Sequence, residues 1–341
     1  MGRQRRSELE RLPDHAKEIM MMDALIDFMT DIVRWLHVVA AIAWLGFVLW
    51  LRRLAIRARS VLDSSADLEV WDTHSLGFWQ TERITRPKAS DLEGLVLSFN
   101  LIRWLFGTGL LLFSLIYYRQ PQVYLLLDPS DASLSSHAAI ALSLAGLIGA
   151  PLINETINRI PLHRTILYYV ACALHVLAWM SFYADRYSQH GAMIQIGAML
   201  GTTVSVNILG NLYPATRAAM VAVMRGEQPD PIRKQYWDRR NQHSFLLPAI
   251  VFLMLSSHMG SAIKANGHAF ATIVIVLALS VASRHVIEMV HRNHGIVPTR
   301  LRWAGVAAAL ALVLALAWLV VIEHQVNLPA TADATESPRL L

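Results

Sequence analysis

Cysteine is almost missing from this chain: Cys172 stands alone among 341 residues. A single thiol excludes an intrachain disulfide, a cysteine-built zinc site and a C-x-x-C-H haem attachment. Charge is scarce too. Charged residues make up 16% of the sequence, against 55% hydrophobic, where a soluble protein of this length carries about 25% charged residues. There is no methionine-rich loop, because the 13 methionines are scattered. No internal repeat and no low-complexity segment stands out.

What is present is apolar sequence in long runs. Eight cover about 28–51, 94–118, 136–154, 166–184, 192–213, 244–261, 269–290 and 303–322. Each matches the roughly 20 residues that carry a helix across a bilayer. Unpaired backbone groups are not tolerated in lipid, so such runs form helices. The sequence predicts an all-α membrane protein, a polytopic bundle of about eight transmembrane helices. It divides into a polar leader over 1–21, a membrane domain over 22–322 and a short polar tail over 323–341.

The net charge of +5 invites a nucleic-acid reading, but the distribution argues against it. Lys and Arg number 7 in 52–93, 2 in 155–165, 6 in 215–243 and 2 in 291–300. The intervening loops 119–135, 184–191 and 262–268 hold one each. The basic loops belong on the cytoplasmic side. Both termini are then expected in the periplasm, with the chain in a bacterial cytoplasmic membrane. The five basic residues of 1–27 run against this rule, although four acids in the first 18 residues offset them. Met20, Met21 and Met22 offer other starting points, which makes the leader an expected extension. It lacks the apolar core and small-residue cleavage site of a signal peptide.

Ionisable groups at membrane depth are costly and mark candidate sites. On the first helix, at 100° per residue, Arg34, His37, Ala41, Trp44 and Val48 share one face. An imidazole beside a small residue leaves room for a flat group, as on a haem-ligating helix. The plainer reading is a histidine bonded to a neighbouring helix. His258, in "LMLSSHMG", falls near the outer end of the sixth helix, and His37 in the outer third of the first, so the two are candidates to meet. His175 lies mid-helix with no evident polar companion and reads as a packing residue. In "SRHVIEMVHRNHG" Arg284 and Glu288 have pairing distance, while His285, His291 and His294 approach the cytoplasmic interface. His243 opens the sixth helix on that side.

The fifth helix, "IQIGAMLGTTVSVNILGNLYP", carries Gly197, Gly201 and Ser205 at small-xxx-small spacing, which permits close helix contact. Asn207 and Asn211 follow one turn apart, as interhelix glue or as the lining of a polar cavity. Arg103, in "NLIRWLFG", requires an anionic partner or a wet cavity.

The segment "GAMLGTTVSVNILGNLYPATRAAMVAVMRGEQPDP" (197–231) resembles the urate oxidase N-terminal domain, the membrane part of the bacterial membrane-bound urate hydroxylase. "RWLHVVAAIAWLG", "NQHSFLLPAIVFLMLSSH" and "SRHVIEMVHRNHG" match further segments in the same order, so the resemblance spans about 28–295. It implies a membrane oxidoreductase that hydroxylates urate to 5-hydroxyisourate and passes electrons to cytochrome c. The tail "TADATESPRLL" has no C-x-x-C-H, so the implied acceptor is a separate periplasmic cytochrome c. Two positions depart from the family pattern. Gln195 stands where a histidine precedes Gly-Ala-Met-Leu, and Trp79-Gln80 stands for an aromatic-histidine pair. Glutamine is a poor substitute for imidazole as a metal ligand.

Three functions follow as expectations. The first is a urate-hydroxylase-like oxidoreductase. It would bind haem b through His37 and His258, with Arg34, His285 and His243 as further cofactor contacts. Arg103, Asn207 and Asn211 would then hold a small-molecule substrate such as urate. The second is a non-catalytic haem-carrying electron-transfer subunit that lost its substrate site with Gln80 and Gln195. The third is a copper-handling membrane protein.

Overall fold

A computed structural model describes residues 13–61, 69–74, 77–82, 92–126 and 134–227, with isolated positions between 250 and 318. These residues are helical but for one hairpin. The chain divides into two compact units, Met1–Pro121 with Ile208–Gln228, and Gln122–Asn207 with Pro229–Leu341.

In the first unit, α1 runs from Asp14 to Val61. Pro13 precedes it, and its carbonyl accepts from Ala16 N and Lys17 N. A proline at a helix start loses nothing, because the first N–H groups have no intrahelical partner. The helix has 48 residues, about 72 Å at 1.5 Å per residue. That is more than twice a bilayer's hydrocarbon thickness of about 30 Å. The sequence places its start near residue 28, where the apolar run begins. The structure starts it at Asp14, because the intervening Ala, Met, Leu, Ile, Glu and Lys favour helix without forming an apolar run.

Beyond α1, β1 (Glu69–His74) and β2 (Gly77–Glu82) form an antiparallel hairpin that pairs Trp71 with Gln80 and Asp72 with Trp79. The helices agree with the all-α expectation, and this hairpin, in the first long basic loop, is the exception among the described residues. Helix α2 (Leu92–Leu112) packs on α1 and widens into a π-helical turn over Phe113–Tyr118. Arg119, just past that turn, bonds Asp27 at 2.8 Å and Asp23 at 2.6 Å on α1. The same unit holds a second widened turn, Ile208–Leu212, and α7, Tyr213–Met224.

In the second unit, short α3 (Pro121–Tyr124) leads to α4 (Ser136–Asn158), α5 (Thr165–Ala184) and α6 (Gln189–Asn207). The last three pack on one another. Ser135 caps α4 by accepting from Ala138 N. Helix α6 is buried along most of its length. Gly191, in its first turn, lies where any Cβ would collide with the Tyr124 and Leu125 backbone. This close approach fits the antiparallel bridge between Leu126 and Tyr187.

Five helical stretches are long and apolar enough to cross a membrane: Asp14–Leu51, Phe99–Tyr118, Ser136–Asn158, Ile166–Ala184 and Gln189–Met224. They correspond to the first five runs read from the sequence. Shorter apolar helices at Phe270–Leu279 and Val306–Ala315 fall within the seventh and eighth. Nearly all of the sixth lies outside the described residues. Several membrane-length apolar helices make this a membrane protein.

Candidate functional site

His37 is half-buried and faces α2. Its Nδ1 lies 3.0 Å from Thr108 Oγ1. The Thr108 hydroxyl donates to Trp104 O at 2.6 Å, with Leu105 O further away at 3.3 Å. A hydroxyl has one proton to give. With that proton on the Trp104 carbonyl, Thr108 Oγ1 accepts from His37 Nδ1–H. The Leu105 carbonyl is a further acceptor beside the ring. In a neutral imidazole with its proton on Nδ1, Nε2 is the atom that can act as a ligand.

Gly109 completes this setting. A Cβ built there would stand 3.0 Å from His37 Cε1 and 3.5 Å from Nδ1. The imidazole therefore rests against bare backbone, and any larger residue at 109 would push on it. The sequence assigns the small neighbour to Ala41 of the same helix. The structure adds Gly109 of the facing helix, and the ring itself occupies that space. Thr108 and Gly109 also sit at the midpoint of the Phe99–Tyr118 stretch. The available signal is "FGTGL", one hydroxyl between two glycines inside an apolar run.

Arg34 is exposed, and Nη1 bonds Asp31 Oδ1 one turn earlier at 2.8 Å. Arg103 is also exposed. Arg34 and Arg103, expected as costly charged groups at membrane depth, both lie at helix surfaces, where long side chains carry their charge outward. Arg103 Nη1 bonds Asn100 Oδ1 at 2.8 Å, and its guanidinium lies 5.2 Å from the centre of the Tyr213 ring. Tyr213 in turn meets Phe99 at 4.3 Å between ring centres. Asn211, half-buried, belongs to the widened turn just before Tyr213. Asn207 is buried at the end of α6.

Gln195 is fully buried in the second unit. Its Nε2 donates to Ser143 O at 3.0 Å and approaches Tyr183 OH at 3.4 Å, while its Oε1 accepts from Ser143 Oγ at 2.7 Å. Tyr183 OH donates to Leu142 O at 2.9 Å, and Tyr187 OH to Ala139 O at 2.5 Å. These bonds satisfy the polar atoms at the junction of α4, α5 and α6, where an unpaired group would be costly. The sequence picks out Gln195 as a missing ligand but not Ser143 or Tyr183, which hold it. His175 has one backbone hydrogen bond, to Ala150, in keeping with a packed, singly bonded histidine.

His243, His258, His285, Arg284, Glu288, His291 and His294 lie outside the described residues. So do the side chains of Trp79 and Gln80. Among the described residues no three His, Cys, Asp or Glu side chains converge as they would on a metal ion. A haem needs only one or two axial ligands from the chain, and the His37 imidazole fits that requirement.

A family model described as urate oxidase N-terminal matches residues 23–320. No curated protein and no solved structure matches the chain.

Proposed function

The chain belongs to the urate oxidase N-terminal family, and from that premise we propose that it is a membrane oxidoreductase that hydroxylates urate and carries the electrons through a haem b held by His37. The observation that carries this reading is the His37–Thr108 bond at 3.0 Å. Histidines that bind metals almost always donate their other ring N–H to a nearby acceptor, which fixes the tautomer and the ring's orientation. Thr108 is that acceptor here. His258 is proposed as the second axial ligand, with His285 and His243 as further cofactor contacts. Arg34 is taken up by Asp31, so a role for it at a haem propionate requires that pair to open.

The reaction balances without oxygen as the electron sink. Urate and water give 5-hydroxyisourate, two protons and two electrons. Water supplies the new oxygen atom, and the electrons leave singly to a separate periplasmic cytochrome c. Bound haem b supplies the one-electron carrier between substrate and acceptor. The chain's own part is to present imidazole Nε2, to exclude bulk water with apolar helices, and to hold an anion beside them. The loop charges support eight spans in a bacterial cytoplasmic membrane with both ends outward.

A second reading draws on Gln195, whose amide is engaged on both sides by Ser143 and Tyr183. If the family function needs imidazole at that position, the chain is a haem-carrying electron-transfer subunit without urate chemistry. One experiment separates the two. Purified protein is mixed with urate under anaerobic conditions, and the b-type absorption bands are followed. Urate-dependent reduction supports the hydroxylase. A b-type spectrum that ascorbate or dithionite reduces and urate does not supports the second reading. A protein with no b-type spectrum contradicts both.

A further inference from the structure

We infer that Arg103, Asn100 and Tyr213 form the seat of a planar organic anion, which on the reading above is the substrate. The inference rests on that reading for the identity of the ligand, and on the geometry of the first unit for the seat.

A cation on a membrane-spanning helix normally has a counter-charge. Arg34 has Asp31 at 2.8 Å, and Arg119 has Asp27 and Asp23 at 2.8 and 2.6 Å. Arg103, one turn inside the Phe99–Tyr118 span, has a neutral partner instead. Among the described residues, its polar contact is Asn100 Oδ1 at 2.8 Å. One amide oxygen engages a single N–H of the five that a guanidinium carries. Among the described residues no carboxylate answers its charge, which leaves the remaining donors open to a ligand.

The guanidinium is also held in place. It lies over the Tyr213 ring at 5.2 Å, and Tyr213 is backed by buried Phe99 at 4.3 Å. Asn100 and Arg103 lie one turn apart on α2, which fixes the side chain from a second direction. Tyr213 reaches this position directly after the π-helical turn Ile208–Leu212. Such widened turns give up regular helix bonding and occur often at functional sites.

The donor pattern selects the ligand. A guanidinium presents paired N–H groups in one plane and recognises two acceptors side by side. A purine-type monoanion offers such a pair, a ring nitrogen and an adjacent carbonyl oxygen, on a flat body that suits the Tyr213 and Phe99 rings. Arg103 and Thr108 are five residues apart on α2, about 8 Å along its axis. They also lie about 140° apart around that axis, so the seat and the His37 imidazole, which meets Thr108, are on different faces of α2 within the same unit. A phospholipid phosphate presents similar acceptors to an exposed arginine beside an exposed Trp104, so the test includes it.

The test is anaerobic binding of labelled urate to the purified full chain, with bound phospholipid phosphorus measured on the same samples. Arg103→Gln should weaken urate binding by about tenfold or more, the usual effect of losing a charged hydrogen bond. Tyr213→Leu should weaken it by about threefold and Tyr213→Phe hardly at all, since the ring face does the work. Elution profile and b-type spectrum, unchanged from the parent, show that each variant is folded. If the parent is reduced by urate and folded Arg103→Gln binds urate as tightly, the seat is refuted while the hydroxylase reading stands. If the parent neither binds urate nor is reduced by it, the substrate reading falls and the ligand assignment with it. Loss of tightly bound phospholipid from Arg103→Gln, with urate binding intact, assigns the seat to a lipid headgroup and overturns the inference.

Discussion

His37 Nδ1 and Thr108 Oγ1 meet at 3.0 Å between two apolar helices of membrane length, and the shorter bond of Thr108, 2.6 Å to Trp104 O, takes its proton. The direction of the bond follows from that commitment. It makes Thr108 the residue that decides which imidazole nitrogen is available for a metal.

Thr108→Val removes the acceptor and keeps the shape. Haem affinity should fall by about 10- to 100-fold, the range for loss of a partner behind a metal-bound histidine. Thr108→Ser should stay near the parent. Titration of the purified variants with haemin reads both, and equal affinity in Val, Ser and parent would show that the bond has no such role.

Gly109→Ala sets a methyl group 3.0 Å from His37 Cε1. The ring must give by a few tenths of an ångström, so the b-type bands should shift with the haem still bound. Gly109→Leu cannot be accommodated by so small a movement, and it should lose the haem. Resonance Raman and absorption spectra of the two variants check the order. An unshifted spectrum in Gly109→Leu would mean that His37 does not carry the group.

Gln195→Leu leaves the Ser143 and Tyr183 polar atoms without their buried partner. A cost of about 1–3 kcal/mol is expected for such a group. The thermal unfolding midpoint in detergent should drop while the b-type spectrum stays as in the parent. A changed spectrum with an unchanged midpoint would make Gln195 a cofactor contact rather than a packing residue.

Arg119→Gln unfastens the end of α2 from α1. The hydrogen bond that Arg119 donates to Asp27, joined by the one to Asp23, raises the Arg119 pKa above its ordinary value. A basic group raised in the folded state stabilises at every pH below its unfolded pKa, and that contribution is lost only as pH climbs through the folded value. The arginine's contribution is therefore constant through the neutral range. The midpoint difference between Arg119→Gln and parent should not vary there, and it should shrink as salt screens the exposed pair. A difference that grows with salt would show that the pairing is not what Arg119 contributes.

Much of this was legible in the sequence, because lipid leaves few choices. Apolar runs of membrane length located the first five stretches, matching Ile166–Ala184 closely but missing the start of the first and the end of the fifth. Arg103 and His37 stood out because charge and imidazole are rare at that depth. What the sequence could not show is which helix faces which. Thr108 carries no mark of its own beyond two flanking glycines, and only packing brings it to His37. Tyr213 carries no signal of its own in the sequence, and only the widened turn and α2 bring it beneath Arg103. The start of α1 was missed for another reason: residues 14–27 are helical without being apolar, so a search for lipid-length runs passes over them.

The account turns on His37 as the ligand of a haem, and the most direct measurement is the haem content of His37→Ala. The variant is purified beside the parent, membrane insertion is confirmed by its extraction with the membrane fraction, and haem per protein is determined from the pyridine haemochrome. The account predicts a b-type haem in the parent and its loss, or a marked spectral shift from a changed axial ligand, in the variant. Full haem content with an unshifted spectrum in His37→Ala would contradict it and leave His37 as a hydrogen-bonded packing residue between α1 and α2.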